Sequence, residues 1–402
     1  MKRRRVKITG IGPVTPAGIG REAFAKGIFE STSRVRSFTR LGEEVGPLVA
    51  AHLTAFDVKK FIGGFEVPKG TARHTLFALA GAALALQDAQ ISFDELQSLR
   101  CGVLTGSSLL DFGGIGAAIE SVEAKGVRGA QPRVVYTTTL TAIPELISNF
   151  CNITARTLTL QTSCCAGLDA IGHAARLVSS GEIDLAICGG TEAPLHHFPL
   201  LELRAAGLTP PTTENPEKLA RPFDLWRTTG VISEGACMFV LEPEGSRRVG
   251  YSFVAGYGFA NDSRNDLCQG MFTASRLALA DAGIHAANID SINAWGPGHK
   301  LIDAAEAKAM HDLFGRLLTE IPATSIKGAI GTPLGAAPAI QVAAAALSQR
   351  HAMLPPTVNW QFPDPACPLN LSSVARLVPN CATLVNSHGV GNVNASLVLQ
   401  KC

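Results

Sequence analysis

"LQTSCCAGLDA" (160–170) sets two cysteines side by side in a sharp turn. The turn lies between "TLTLQT" (157–162), which has strand character, and "LDAIGHAARLVSSGE" (168–182), which reads as a helix. A side chain on a strand-to-helix turn is exposed by the backbone, and the helix N-terminus carries about half a positive charge there. That field favours a thiolate, so the reading predicts a depressed thiol pKa and reaction with iodoacetamide well below the ordinary cysteine range of about 8.5. Gly167 lets a substrate or another chain segment approach closely. The alternative is that both thiols are small core residues, as buried free cysteines commonly are.

Working outward, the turn belongs to the first of two similar halves. "ALQDAQI" (85–91) and "ALADAGI" (278–284) share the pattern ALxDAxI, 193 residues apart. Each closes an Ala/Leu-rich helix and precedes a short strand and Gly-containing loop, "CGVLTGSS" (101–108) and "SINAWGPG" (291–298). Two apolar helices match in the same way, "AGLDAIGHAARLV" (166–178) and "GAAPAIQVAAAALS" (335–348). Self-similarity at half the chain length suggests a duplicated α/β unit, with mostly parallel strands and helices packed on them. The first half is expected over 1–245, closing on the strand "ACMFVLE", and the second over 246–402, opening on "YSFVAGYGFA". Helix 335–348 lacks a polar face and should be buried between sheets.

Composition bounds the function. The 402 residues are 46% hydrophobic and 17% charged, with a net charge of +2, which suits a well-buried enzyme and gives no field for nucleic acid or a membrane surface. The basic start "MKRRRVK" reads as a solvated lead-in to the first strand, and the following Gly and Pro exclude a signal-peptide core. The longest apolar runs, 75–86 and 340–347, are shorter than the roughly 20 residues of a membrane span. Ten cysteines without metal-like spacing read as reduced thiols in a cytoplasm. No metal, nucleotide or flavin signature is present, since the Gly-rich stretches lack the G-x-G-x-x-G context.

A run of ordered motifs resembles the β-ketoacyl-ACP synthases (ketosynthases) of fatty acid and polyketide synthesis, within the thiolase-like superfamily. These are "RVKITGIGPVTPAGIG" (5–20), "TSCCAG" (162–167), "CGGTEA" (188–193), "ARPFD" (220–224), "SEGACMFVLE" (233–242), "SIKGAIGTPLGAAPA" (325–339) and "NSHGVGNVNASLVL" (386–399). The resemblance implies an α/β, duplicated thiolase fold, layered α-β-α-β-α. It also implies a homodimer or a heterodimer with another ketosynthase, an acyl carrier protein or CoA thioester as donor, and Cys164 as nucleophile. No cofactor is implied beyond the phosphopantetheine or CoA that carries the substrate.

The chain departs from that family where it matters. Two His residues normally hold the malonyl thioester during decarboxylation, and Trp295 and Thr332 occupy their positions here. The family's Lys is present as Lys327. His388 replaces a Phe that gates the acyl pocket, and Thr228-Thr229-Gly230 replaces an Asp/Asn-Gly-Phe. Backbone N–H groups near Cys164 and His388 are the expected oxyanion donors. His388 is either a general base, making the site a Cys–His acyltransferase or hydrolase, or a residue lining the acyl tunnel. His299 is a candidate substitute for the missing His or a loop residue. Glu192, Asp224, Arg227 and Glu234 read as scaffold near the site, with Glu234 a possible auxiliary group. His196 and His197 lack a ligand partner at metal spacing.

Three functions fit: an atypical condensing enzyme or acyltransferase loading Cys164, with decarboxylative condensation impaired; a non-catalytic partner resembling the chain-length factors; or an acyl-binding module. Retention of the turn, the helix and Lys327 favours the first.

Overall fold

A computed structural model describes residues 4–39, 48–263 and 266–402. In the first half, β1 (Val6–Thr15), β2 (Cys101–Gly106), β3 (Arg156–Leu160), β4 (Leu185–Glu192) and β5 (Gly235–Pro243) are accompanied by helices α1 (Arg73–Ala89) and α2 (Ala166–Ser180). In the second, β6 (Ser252–Asn261), β7 (Ser291–Asn293), β8 (Ala323–Thr324), β9 (Ala382–Gly389) and β10 (Val393–Lys401) are accompanied by α3 (Gln269–Ala282), α4 (Lys300–Phe314) and α5 (Ala337–His351).

The strand order is β8-β7-β9-β10-β6-β1-β5-β4-β2-β3. Reading outward from the middle, each half runs first strand, fifth, fourth, second, third. The senses repeat too. β1–β5 and β5–β4 are antiparallel while β4–β2 and β2–β3 are parallel. Likewise β6–β10 and β10–β9 are antiparallel while β9–β7 and β7–β8 are parallel. The two halves meet at the single pair Lys7↔Phe253. Helices α2 and α5 touch each other and strands of both halves, while α1 and α3 cover the outer faces, which gives the α-β-α-β-α layering of a duplicated thiolase fold.

The ALxDAxI repeat has a packing reason. A Cβ on Gly10 or Gly12 of β1 would lie 2.1 Å from Ala85 O or 1.8 Å from Gly81 O of α1. A Cβ on Gly256 or Gly258 of β6 would lie 2.1 Å from Ala278 O or Ala274 O of α3. Only glycine strands and small helix residues allow that approach. The repeat's Asp then takes a strand donor that the sheet leaves open: Asp88 accepts from Ile11 N at 2.9 Å and Asp281 from Tyr257 N at 3.1 Å. Both helices end two residues later in left-handed backbone, at Gln90 and Gly283.

Helix α5 is buried from Ala337 through Gln349, as its missing polar face requires. The basic lead-in is corrected at Lys7. Residues 1–3 lie outside the described residues, but Arg4 donates to Val178 O at 2.8 Å. Lys7 is buried in β1, with Nζ donating to Ser246 O and Arg248 O at 2.9 and 2.6 Å. Lys7 is thus drawn out of water, whereas Arg4 and Arg5 stay exposed, as a solvated lead-in would be. Among the described residues, no helix is long and apolar enough to cross a membrane.

Candidate active site

β3 ends at Leu160, and the chain turns through one 3-10 turn, Ser163–Cys165, into α2. Ser163 carries the bend in left-handed backbone, φ 53°. For a non-glycine residue that conformation costs about 1–2 kcal/mol. Close neighbours hold it: a Cβ on Gly106 would meet Ala166 O at 2.1 Å, and one on Gly389 would meet Cys164 N at 3.0 Å.

The two thiols have different surroundings. Cys165 is fully buried, its Sγ 3.6 Å from Val393 O, and fills core. Cys164 keeps 7% exposure; the nearby backbone N–H of Val390 favours its thiolate, and Ser163 Oγ lies 4.0 Å away. The expected depression of its pKa is overturned. Burial pushes the Cys164 thiol up to about 11, outweighing the Val390 N–H, Ser163 and the distant Lys327 charge, while the Glu192 carboxyl pushes further upward. A helix-terminal field is worth only about 0.3–1 kcal/mol at most sites, too little to offset desolvation.

Of the backbone N–H groups near His388, one lies close enough to influence the sulfur. It is Val390's, not that of His388, which is strand-paired with Asn394 inside the β9–β10 ladder.

Lys327 does not reach for the nucleophile. Its Nζ, 1% exposed, donates to Trp295 O and to Gln341 Oε1 (2.8 Å), and sits 4.0 Å over the Trp295 ring. Glu306 accepts from Trp295 N and Gly296 N, both at 2.8 Å. Burial lowers the Lys327 pKa and raises that of Glu306, and the charge of each opposes the other's shift. Together they fix the loop that presents Trp295. Thr332 is bonded through its backbone N–H to Val231 O at 2.7 Å. Its buried Oγ1 has no partner among the described residues.

The remaining candidates are structural. His299 caps α4, its Nδ1 accepting from Ile302 N at 3.4 Å, and this engagement argues against its use as a substitute catalytic His. Glu234 takes Arg73 through both oxygens at 2.8 and 2.7 Å and accepts from Leu53 N at 2.9 Å, a fixed structural engagement that argues against an auxiliary role. Glu192 accepts from Ser108 N, Leu109 N and Gly335 N at 2.7, 3.2 and 3.1 Å. Burial still raises its carboxyl to about 7. Asp224 is tied to Gln361 N and Phe362 N, both at 2.8 Å, and Arg227 to Asp364 at 2.6 Å. His196 precedes the helix His197–Ala205. Among the described residues no cluster of His, Cys, Asp or Glu is arranged to hold a metal ion.

Sequence reasoning missed Glu306, Gln341, Val390, Asn394 and Asp262. Gln341 carried a legible signal as an amide set within the apolar run Ala337–Leu347. Glu306 carried one as an acid three residues from Asp303, on the side of α4 that also bears buried Ala307 and Met310. Val390 works through its backbone, which no side-chain pattern reveals.

Residues 3–246 match the family Beta-ketoacyl synthase, N-terminal domain, and residues 251–361 match its C-terminal domain. The chain belongs to the β-ketoacyl synthase family. It is 33% identical to a 3-oxoacyl-[acyl-carrier-protein] synthase 2 of Rhizobium meliloti, with 99% of each chain covered. It is 31% identical to a putative polyketide beta-ketoacyl synthase 1 of Streptomyces virginiae, covering 99% of this chain and 98% of the other. Among solved structures, one described as the ishigamide ketosynthase/chain length factor superposes over 100% of both chains with a TM-score of 0.92 at 28% identity. The ketosynthase relatives thus include both fatty-acid and polyketide synthases.

Proposed function

We propose that the chain takes an acyl group from an acyl carrier protein or CoA onto Cys164 as a thioester, in fatty acid or polyketide synthesis in the cytoplasm, and that decarboxylative condensation is impaired. The observation that carries this reading is the strained Ser163 turn with the Val390 N–H near the Cys164 sulfur. Backbone strain retained at a thiol with an N–H donor beside it is what an acyl-transfer site needs.

Cys164 Sγ attacks the thioester carbon of the donor. The oxyanion forms against the Val390 and Cys164 N–H groups, the donor's C–S bond breaks, and the carrier leaves as its thiol. Decarboxylation of a malonyl thioester places enolate charge where Trp295 and Thr332 now stand. An indole N–H and a hydroxyl are neutral donors, and removing one well-placed oxyanion donor costs about 2.7–4 kcal/mol.

The test is intact mass after incubation with acyl-ACP, acyl-CoA and malonyl-ACP donors, beside Cys164→Ala. An adduct absent from the variant, without a 3-ketoacyl product, is the expected result. Lack of any adduct would remove the acyl-transfer reading.

A second reading is a chain-length-factor-like partner of a complete ketosynthase, in a heterodimer instead of a homodimer. Burial of the Cys164 thiol and the Trp295–Lys327 packing favour it, as does the likeness to the ishigamide ketosynthase/chain length factor. Co-purification with an intact ketosynthase, in the absence of adduct, would select it.

A further inference from the structure

We infer that the acyl group on Cys164 is released by water, with His388 as the base that activates it, so that the chain is an acyl-thioester hydrolase. The inference rests on the acyl-Cys164 reading above.

His388, 7% exposed, lies at the end of β9 opposite Asn394 of β10. Its Nδ1 is 2.8 Å from Asn394 Oδ1. The Asn394 amide cannot turn over, because its Nδ2 donates to Asp262 Oδ1 at 2.8 Å. That same Oδ1 accepts from Gly270 N at 2.7 Å at the start of α3. An acceptor facing Nδ1 requires the proton there, which leaves Nε2 with its lone pair. Asp262 Oδ2 has no hydrogen-bond partner among the described residues and sits 3.9 Å from Nδ1, on the side of the ring away from Nε2. Cys268 Sγ lies 3.9 Å from the same nitrogen.

The residues flanking His388 close on the nucleophile. Ser387 Oγ donates to Cys164 O at 3.2 Å, Gly389 abuts Cys164 N, and Val390 N–H lies near the sulfur. By strand alternation, His388 leaves β9 on the face opposite Ser387. In the proposed step it serves the thioester through a water molecule, not by contact with the sulfur. Trp295 and Thr332 remove the ordinary means of making a carbanion, which leaves water as the acceptor the site can activate.

In the step, water oxygen bonds to the thioester carbon as its proton passes to Nε2, and the oxyanion rests on the Val390 and Cys164 N–H groups. The C–S bond then breaks, and the sulfur leaves as a thiol, its proton returned from Nε2 through a second water molecule. Thioester and water become carboxylic acid and free Cys164 thiol, with no change of oxidation state.

The experiment uses the full chain as wild type, His388→Phe and His388→Gln. Each is loaded to completion with excess long-chain acyl-CoA and stripped of donor. Adduct loss is followed by intact mass and free acid by chromatography. Wild type should return to free thiol with one equivalent of acid, and both variants should decay at least about 100-fold more slowly, the usual contribution of a positioned base. The Gln variant keeps an amide donor for Asn394, so it separates loss of the base from loss of packing. Equal decay in all three, or a wild-type adduct as durable as the variants', overturns the hydrolysis. Failure to load any of them sinks the acyl-Cys164 reading itself, and this one with it. For Asp262 as a positioning residue, the 15N shifts of His388 should report an Nδ1–H tautomer in wild type and a mixture in Asp262→Asn. An unchanged tautomer removes Asp262 from the assignment.

Discussion

Cys164 sits where the turn enters α2 and where β9 and the segment after Pro333 close over it. The turn and the helix behind it stand in local sequence. The desolvation that dominates the thiol comes from segments far away in the chain, among them β9 and the loop after Pro333. With the thiol at about 11, about one molecule in ten thousand carries a thiolate at pH 7. Alkylation of Cys164 by iodoacetamide should therefore be slow at neutral pH and rise about tenfold per pH unit toward 11. Exposed Cys381 is the internal reference and should label first. Peptide mapping that finds Cys164 labelled ahead of Cys381 at pH 7 would mean the helix field wins after all. The second residue-scale prediction concerns Trp295 and Thr332, whose positions were readable from motif order although their contacts were not. The double change Trp295→His with Thr332→His should raise CO2 release from malonyl-ACP by at least about 100-fold, one oxyanion donor's worth. A flat response would place the block elsewhere in the site.

At the scale of elements, α5 shows what a periodicity argument reaches and where it stops. An Ala-rich run without a polar face announces burial, and α5 is buried. What the pattern does not announce is that Gln341 organises the site from inside that helix. Its Nε2 donates to Ala294 O at 3.0 Å and Asn386 O at 3.1 Å, and its Oε1 accepts from the buried Lys327 ammonium at 2.8 Å. One amide thereby ties α5 to the Trp295 loop, to β9 and to Lys327. Leucine is close in volume but offers nothing to those groups, and a buried charge left short of an acceptor is costly. Gln341→Leu should lower stability by about 2–4 kcal/mol. It should also loosen the loop that carries Trp295. Chemical denaturation measures the first and Trp295 fluorescence the second; a variant as stable as wild type would show that Lys327 finds another partner.

For the whole molecule, the duplication visible as ALxDAxI governs both stability and its pH dependence. Because the glycine-to-helix contacts recur in each half, Gly12→Ala and Gly258→Ala should each destabilise by about 3 kcal/mol, the upper range for an overpacked core. Gly116→Ala, on a helix with nothing within 4 Å of the added Cβ, should be neutral or slightly stabilising. Thermal melts showing Gly258→Ala unaffected would mean that the second half is less tightly built than the first. The shared core between the halves also buries carboxyls whose titration the whole fold must carry. Burial raises Glu192 and Asp303 to about 7 and Asp169 to about 6. Between the ordinary carboxylate range near 4 and those values, the native state holds protons that the unfolded chain has released. Stability therefore falls as pH rises through that window and levels off above about 7. On the acid side, Glu95 and Asp184 are held low by Arg248 and Arg100, so their contribution is lost as pH drops below the ordinary range. Glu192→Gln removes one titrating group while keeping an acceptor for Ser108 and Gly335. Its melting temperature should consequently decline less steeply than wild type's between pH 4.5 and 7. Parallel curves for the two proteins over that range would show that Glu192 is already ionised in the folded chain, held by the backbone N–H groups that converge on it.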